Sequence, residues 1–65
     1  LTMTPGQPQK NPVFLINGWN SPTVQVKVNG QALPQERFVH QVAGHDLTIW
    51  IEGRFAESTT FEFVR

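Results

Sequence analysis

A chain of 65 residues has room for one domain, and its five basic and five acidic side chains are scattered and sum to zero formal charge. Nucleic-acid binding draws most of its affinity from clustered basic charge, so this composition argues against a nucleic-acid partner. Zero cysteines exclude a disulfide and a thiolate metal site, and two histidines are too few for a zinc site, so we expect no metal and no cofactor.

Residues 1–11 contain two prolines, a glycine and two glutamines, which predicts a linker or a loosely held N-terminal arm. Within this arm, Leu1–Met3 is also compatible with a short edge strand. We expect residues 12–65 to make up a single β-sandwich domain. No apolar run approaches the roughly 20 residues that cross a bilayer, so we expect no membrane partner.

The continuous apolar run Pro12–Ile16 is the first element of the domain. Such a run is typical of a strand covered on both faces, or of one that passes from a linker into the core. Asn17–Pro22 is rich in turn-forming residues and predicts a loop.

The segment Thr23–Gly30 is the clearest pattern in the chain. Its three valines alternate with polar residues, which places every second side chain on one face of a strand. The closing pair Asn29-Gly30 supplies the two positive φ angles of a type I′ turn, so we expect a two-residue hairpin. The chain returns through Gln31–Leu33 and stops at Pro34.

Three further strands complete the predicted domain, at Arg37–Val42, Leu47–Ile51 and Thr59–Val64, with a turn at Ala43–Asp46. About six or seven short antiparallel strands with turns every 8–12 residues indicate an all-β sandwich or barrel. Within each of these strands, the apolar side chains at alternate positions lie on one face. We expect these residues to form the buried core: Val24, Val26, Val28, Leu47, Ile49, Phe61 and Phe63.

No catalytic set stands out, and we expect this chain not to be an enzyme. His45-Asp46 are adjacent in a turn, so their side chains diverge, and we expect a solvated histidine beside a turn-forming aspartate. His40 shares a strand face with Phe38 and Val42, so we expect it to be a half-buried packing residue. Three glutamates, Glu52, Glu57 and Glu62, lack the deep cleft that paired-carboxylate hydrolysis requires.

Trp50 is the most informative side chain for function. It shares strand parity with Thr48 and Glu52, and therefore lies on the face opposite to Leu47 and Ile49. An exposed tryptophan contacts a protein partner, is covered by a local loop, or stacks on a sugar ring. Trp19 has the same alternatives, or plugs the end of the sandwich.

A glycan-binding surface around Trp50 would also recruit Thr48, Gln25 and Lys27, if their strands are neighbours. These residues, together with Trp19, are the predicted contact residues for a partner or a glycan.

Three segments carry a resemblance to a known family: Pro12–Trp19, Val24–Gly30 and Asp46–Ile51. The chain resembles the small immunoglobulin-like β-sandwich accessory domains of secreted bacterial enzymes that act on polysaccharides. The resemblance implies an extracellular or periplasmic, non-catalytic module that packs on or spaces a catalytic domain or another subunit. The resemblance assigns no functional residue in this chain, because such modules share none. A carbohydrate-binding module and a subunit of a β-rich assembly are the alternative functions.

Overall fold

The computed structural model describes all residues, Leu1–Arg65. The chain forms nine short strands and one 3₁₀ turn, at Gln35–Arg37. The strands are β1 Thr2–Met3, β2 Gln9–Lys10, β3 Val13–Asn17, β4 Gln25–Val28, β5 Gln31–Ala32, β6 Phe38–Ala43, β7 Asp46–Ile51, β8 Arg54–Phe55 and β9 Phe61–Val64.

These strands build three antiparallel sheets, so the expectation of an all-β antiparallel domain is confirmed. The four-stranded sheet has the order β1-β9-β4-β5, the three-stranded sheet β3-β7-β6, and the small sheet β2-β8. The expected count of six or seven strands was too low. The missing strands, β2 and β8, are two residues long, which is too short to leave an alternating pattern in the sequence.

The Asn29-Gly30 hairpin is confirmed. Both residues have positive φ, 51° and 82°, and Val28 pairs with Gln31 across the turn. The turn is also held from the side, because the Asn29 N–H donates to the Thr60 carbonyl at 2.8 Å and the Thr60 N–H donates to Asn29 Oδ1 at 2.9 Å. A local turn signal therefore also fixes the start of β9.

The N-terminal arm lies along the domain through two short strand pairs. β1 pairs with β9, and the Phe63 N–H donates to the Leu1 carbonyl at 2.8 Å. β2 pairs with β8, and the Gly53 N–H donates to Asn11 Oδ1 at 2.9 Å. The arm thus connects an edge of the four-stranded sheet to the small sheet before β3 begins.

The core is formed by the inner faces of the two larger sheets. Six of the seven predicted core residues are buried; Val28 is only half-buried, because it is the last residue before the turn. Ring contacts join the sheets, since the Phe14 centroid on β3 is 5.1 Å from Phe61 and 5.5 Å from Phe63 on β9. The buried cluster is Ile16, Trp19, Val24, Val26, Leu47, Ile49, Ile51, Phe61 and Phe63.

We predict that Ile49→Ala lowers the free energy of unfolding by roughly 2–5 kcal/mol, because Ile49 is fully buried and truncation leaves a cavity. The whole free energy of unfolding of a domain of this length is roughly 3–10 kcal/mol, so the loss is large. Urea unfolding of both proteins measures it. The matched control Val39→Ala removes an exposed side chain, and its expected cost is within about 0.5 kcal/mol. Equal losses of unfolding free energy in the two variants would contradict the assignment of Ile49 to the buried face and Val39 to the exposed face of the sheet.

We also predict that Gly30→Val is clearly destabilising, whereas Gly30→Asn is tolerated. Nothing lies within 4 Å of a Cβ built at Gly30, so the cost arises from the positive φ and not from a clash. Asparagine adopts this region readily and a β-branched residue does not. Thermal unfolding of the two variants makes the comparison, and equal melting temperatures would contradict the turn assignment.

Candidate interaction face

The outer face of the three-stranded sheet carries most of the large exposed apolar side chains of this domain. Strand register aligns two rows across it, Val13–Trp50–Val39 and Leu15–Thr48–Gln41. Directly opposed side chains on neighbouring strands have Cβ atoms about 4.5–5.5 Å apart, so each row is continuous. We call four of these residues the apolar face: Val13, Leu15, Val39 and Trp50, which are 55%, 62%, 66% and 39% exposed.

The strict alternation of β7 places Trp50 on this face. Leu47, Ile49 and Ile51 point into the core and are at most 1% exposed, so Thr48 and Trp50 must point outward. The predicted position of Trp50, opposite to Leu47 and Ile49, is therefore confirmed. Because β7 is the central strand, the indole lies between the two valines of its row.

A shallow cleft of about 320 Å³ lies beside Trp50. Its charged groups come from the 3₁₀ turn, which provides Glu36 and Arg37, and from Glu52 at the end of β7. The Glu52 N–H donates to the Arg37 carbonyl at 2.8 Å, which fixes the 3₁₀ turn beside the sheet. The cleft is lined by Asn11, Glu36, Arg37, Phe38, Val39, Trp50, Ile51 and Glu52.

Trp19 was wrongly predicted as a contact residue. It is 3% exposed, and its Nε1–H donates to the Thr23 carbonyl at 3.1 Å. The Arg65 guanidinium lies 5.1 Å from the ring centroid, within cation–π range. Trp19 is thus a packing residue between a loop and the C-terminus, which is the plugging role that the sequence left open. Loop residues have no strand parity, so the sequence held no signal for this burial.

Gln25 and Lys27 do not join Trp50, so their inclusion in a shared surface was wrong. Both lie on β4, which pairs with β5 and β9 in the four-stranded sheet. Lys27 stands opposite Glu62 on β9. The buried core separates this sheet from the one that carries Trp50, because the inner faces of both sheets pack into it.

Among the predicted contact residues, the structure brings together only Trp50 and Thr48, which is half-buried in the neighbouring row. The sequence reasoning missed Val13, Leu15 and Val39. For Val13 and Leu15 the available signal was the run Pro12–Ile16, whose apolar residues alternate onto both faces of the strand. The strand was expected to be covered on both faces or to lead into the core, yet one face of β3 is open.

The histidines lie apart from the apolar face. His45 Nδ1 is 3.1 Å from Asn20 Oδ1, in a hydrogen bond between two loops. His40 is exposed and not half-buried as expected. It lies on the edge strand β6, whose open side leaves the ring in water, although Phe38 and Val42 on either side of it pack against the core. No group of three histidine, cysteine or acidic side chains is placed to hold a metal ion.

A scan against protein-family models, a search of curated proteins and a search of solved structures each found no match to this chain. The fold contains no helix with the length and hydropathy needed to span a bilayer.

We predict opposite behaviour for the two tryptophans. Trp19→Ala should lower the free energy of unfolding by roughly 3–5 kcal/mol, as for other buried aromatic residues. Trp50→Ala should cost far less, because its side chain is 39% exposed. Acrylamide quenching gives an independent measurement: the emission remaining in Trp50→Phe should be protected, and that remaining in Trp19→Phe should be accessible. Equal quenching of the two would contradict the placement.

Proposed function

We propose that this chain is a non-catalytic, immunoglobulin-like β-sandwich module that packs through its apolar face against a neighbouring domain of the same protein or another subunit. The exposed Val13, Leu15, Val39 and Trp50 carry this proposal. Single exposed apolar residues are ordinary on protein surfaces, but neighbouring ones that form a patch mark interaction sites.

The energetics of the apolar face favour a protein contact. Complete burial of a valine or leucine side chain contributes about 1.5–3 kcal/mol. Val13, Leu15 and Val39 keep more than half of their surface in water, so covering each of them contributes roughly 1–2 kcal/mol. Trp50, at the centre of its row, is of the residue type most enriched at interaction hot spots.

The sandwich assignment is supported by the way the two larger sheets share one core. Their inner faces contribute Ile16, Leu47, Ile49 and Ile51 from one side and Val26, Phe61 and Phe63 from the other. The resemblance to accessory domains supports the setting that we propose, in which the neighbour is a catalytic domain of a secreted, extracellular or periplasmic enzyme.

The cleft beside Trp50 favours a second candidate function, the binding of a carbohydrate. An exposed indole offers a flat apolar surface for a sugar ring. The side chains of Glu36, Arg37 and Glu52 border that surface and offer hydrogen-bond partners for hydroxyl groups. With two carboxylates and one guanidinium, the cleft suits a neutral sugar better than an acidic one.

We predict that Trp50 becomes protected from acrylamide in the full-length protein that contains this chain, relative to the 65-residue chain alone. Docking of a neighbouring domain covers the apolar face and removes the indole from solvent. Subtracting the quenching of Trp50→Phe at each length isolates the Trp50 signal, because that variant retains every other tryptophan. A Lys27→Ala variant, altered on the other sheet, should leave the protection unchanged.

Two outcomes would contradict the docking proposal. Equal accessibility of Trp50 in the 65-residue chain and in the full-length protein, assembled with its subunits, would mean that neither a domain nor a subunit covers the face. An emission shift on titration with soluble neutral oligosaccharides, absent in Trp50→Ala, would establish the carbohydrate function in its place.

A further inference from the structure

Strand β3 has a free edge of unpaired backbone groups. The Ile51 N–H donates to the Pro12 carbonyl at 2.9 Å, which shows that the even-numbered residues here turn their polar groups toward β7. Backbone groups of successive residues point to opposite sides of a strand, so Val13, Leu15 and Asn17 direct theirs away from β7. No other strand lies on that side.

This edge lacks the features by which natural sheets block further pairing. Edge strands are usually protected by charged side chains, prolines, bulges or a covering segment. β3 pairs with β7 through five consecutive residues without a bulge, and none of the five is charged or a proline. None of the backbone hydrogen bonds made by turns and loops involves Val13, Leu15 or Asn17, so no other segment of the chain caps this edge. The outward side chains Val13 and Leu15 are also more than half exposed.

We propose that β3 pairs antiparallel with β3 of a second copy of this chain, about a two-fold axis at Leu15. The free groups at 13, 15 and 17 are spaced symmetrically about Leu15. Val13 therefore pairs with Asn17 of the second copy, and Leu15 with its own equivalent. Three such pairs form about six new backbone hydrogen bonds. The product is a continuous six-stranded sheet with the two β3 strands at its centre.

A second copy fits this edge better than an unrelated strand does. A two-fold contact must be self-complementary, and the spacing of the free groups meets that condition. β3 carries no charge and the whole chain is neutral, so two copies do not repel each other. The axis brings two Leu15 side chains together, each of which is 62% exposed in the single chain.

The other free edge of this sheet, β6, is less suited to the same pairing. Its outward backbone groups belong to Phe38, His40 and Val42, but the Phe38 N–H already donates to the Gln35 carbonyl. A two-fold axis there would centre on His40, which is polar, and would bring no exposed apolar pair together. The geometry therefore selects β3.

This self-pairing does not rest on the proposed domain docking. It uses the backbone edge of β3 and, from the apolar face, only the Leu15 side chain, whereas docking centres on Trp50. Trp50→Ala should accordingly weaken docking and leave self-association unchanged, so failure of one proposal is distinguishable from failure of the other.

The test is sedimentation velocity of the 65-residue chain across a concentration series. We expect a reversible dimer, and Leu15→Lys should weaken it at least about tenfold, because two like charges then face each other at the axis. The matched control Val39→Lys adds the same charge at an equally exposed position on the outer strand β6, and should dimerise as the parent does.

A mixture provides the sharpest measurement. Leu15→Lys and Leu15→Glu should each be monomeric alone and should associate when mixed, because residue 15 of one copy faces residue 15 of the other. Circular dichroism verifies that each variant is folded, as expected for changes at an exposed side chain. A parent chain that remains monomeric, a dimer that persists in Leu15→Lys, or a mixture that fails to associate would each overturn the proposal.

Discussion

Phenylalanine contacts join all three sheets of a chain that has no disulfide. Phe14 comes from the three-stranded sheet, Phe61 and Phe63 from the four-stranded sheet, and Phe55 from the two-residue strand β8. Phe61 is the shared partner, fully buried, with the Phe14 and Phe55 ring centroids each at 5.1 Å. Such ring pairs are worth about 0.5–1.5 kcal/mol each beyond their buried area. The separate sheets therefore behave as one domain because one ring is common to their contacts.

The position of Phe14 in this cluster determines what the other face of β3 presents. A strand has period two, so turning Phe14 and Ile16 toward the core turns Val13 and Leu15 away from it. The single chain has no further layer to cover them. β3, which is apolar at every position from Val13 to Ile16, therefore has one buried face and one exposed apolar face. The neighbouring strands β7 and β6 extend the exposed face with Trp50 and Val39.

Features that depend on neighbouring residues were predictable from the sequence, and those that depend on strand order were not. The turn at Asn29-Gly30 follows from local backbone preference, and the outward position of Trp50 follows from alternation within one strand. Whether Lys27 lies near Trp50 depends on which strands pair, and no local pattern encodes that. The pairing of β1 with β9 joins the two ends of the chain, and the burial of Trp19 depends on a loop that packs the indole into the core cluster.

The pairing of β1 with β9 has a mechanical consequence. Thr2 pairs with Glu62 and Met3 with Phe61, so both chain ends leave the domain from the same end of one antiparallel pair. The bonds of this pair lie perpendicular to the strands, so tension applied through the two ends loads them one after another, like a zipper, and not all at once in shear. Under such a pull, β1 peels away first. Because β1 contributes only the partly buried Met3 to the core, the early extension releases the arm while the core stays intact.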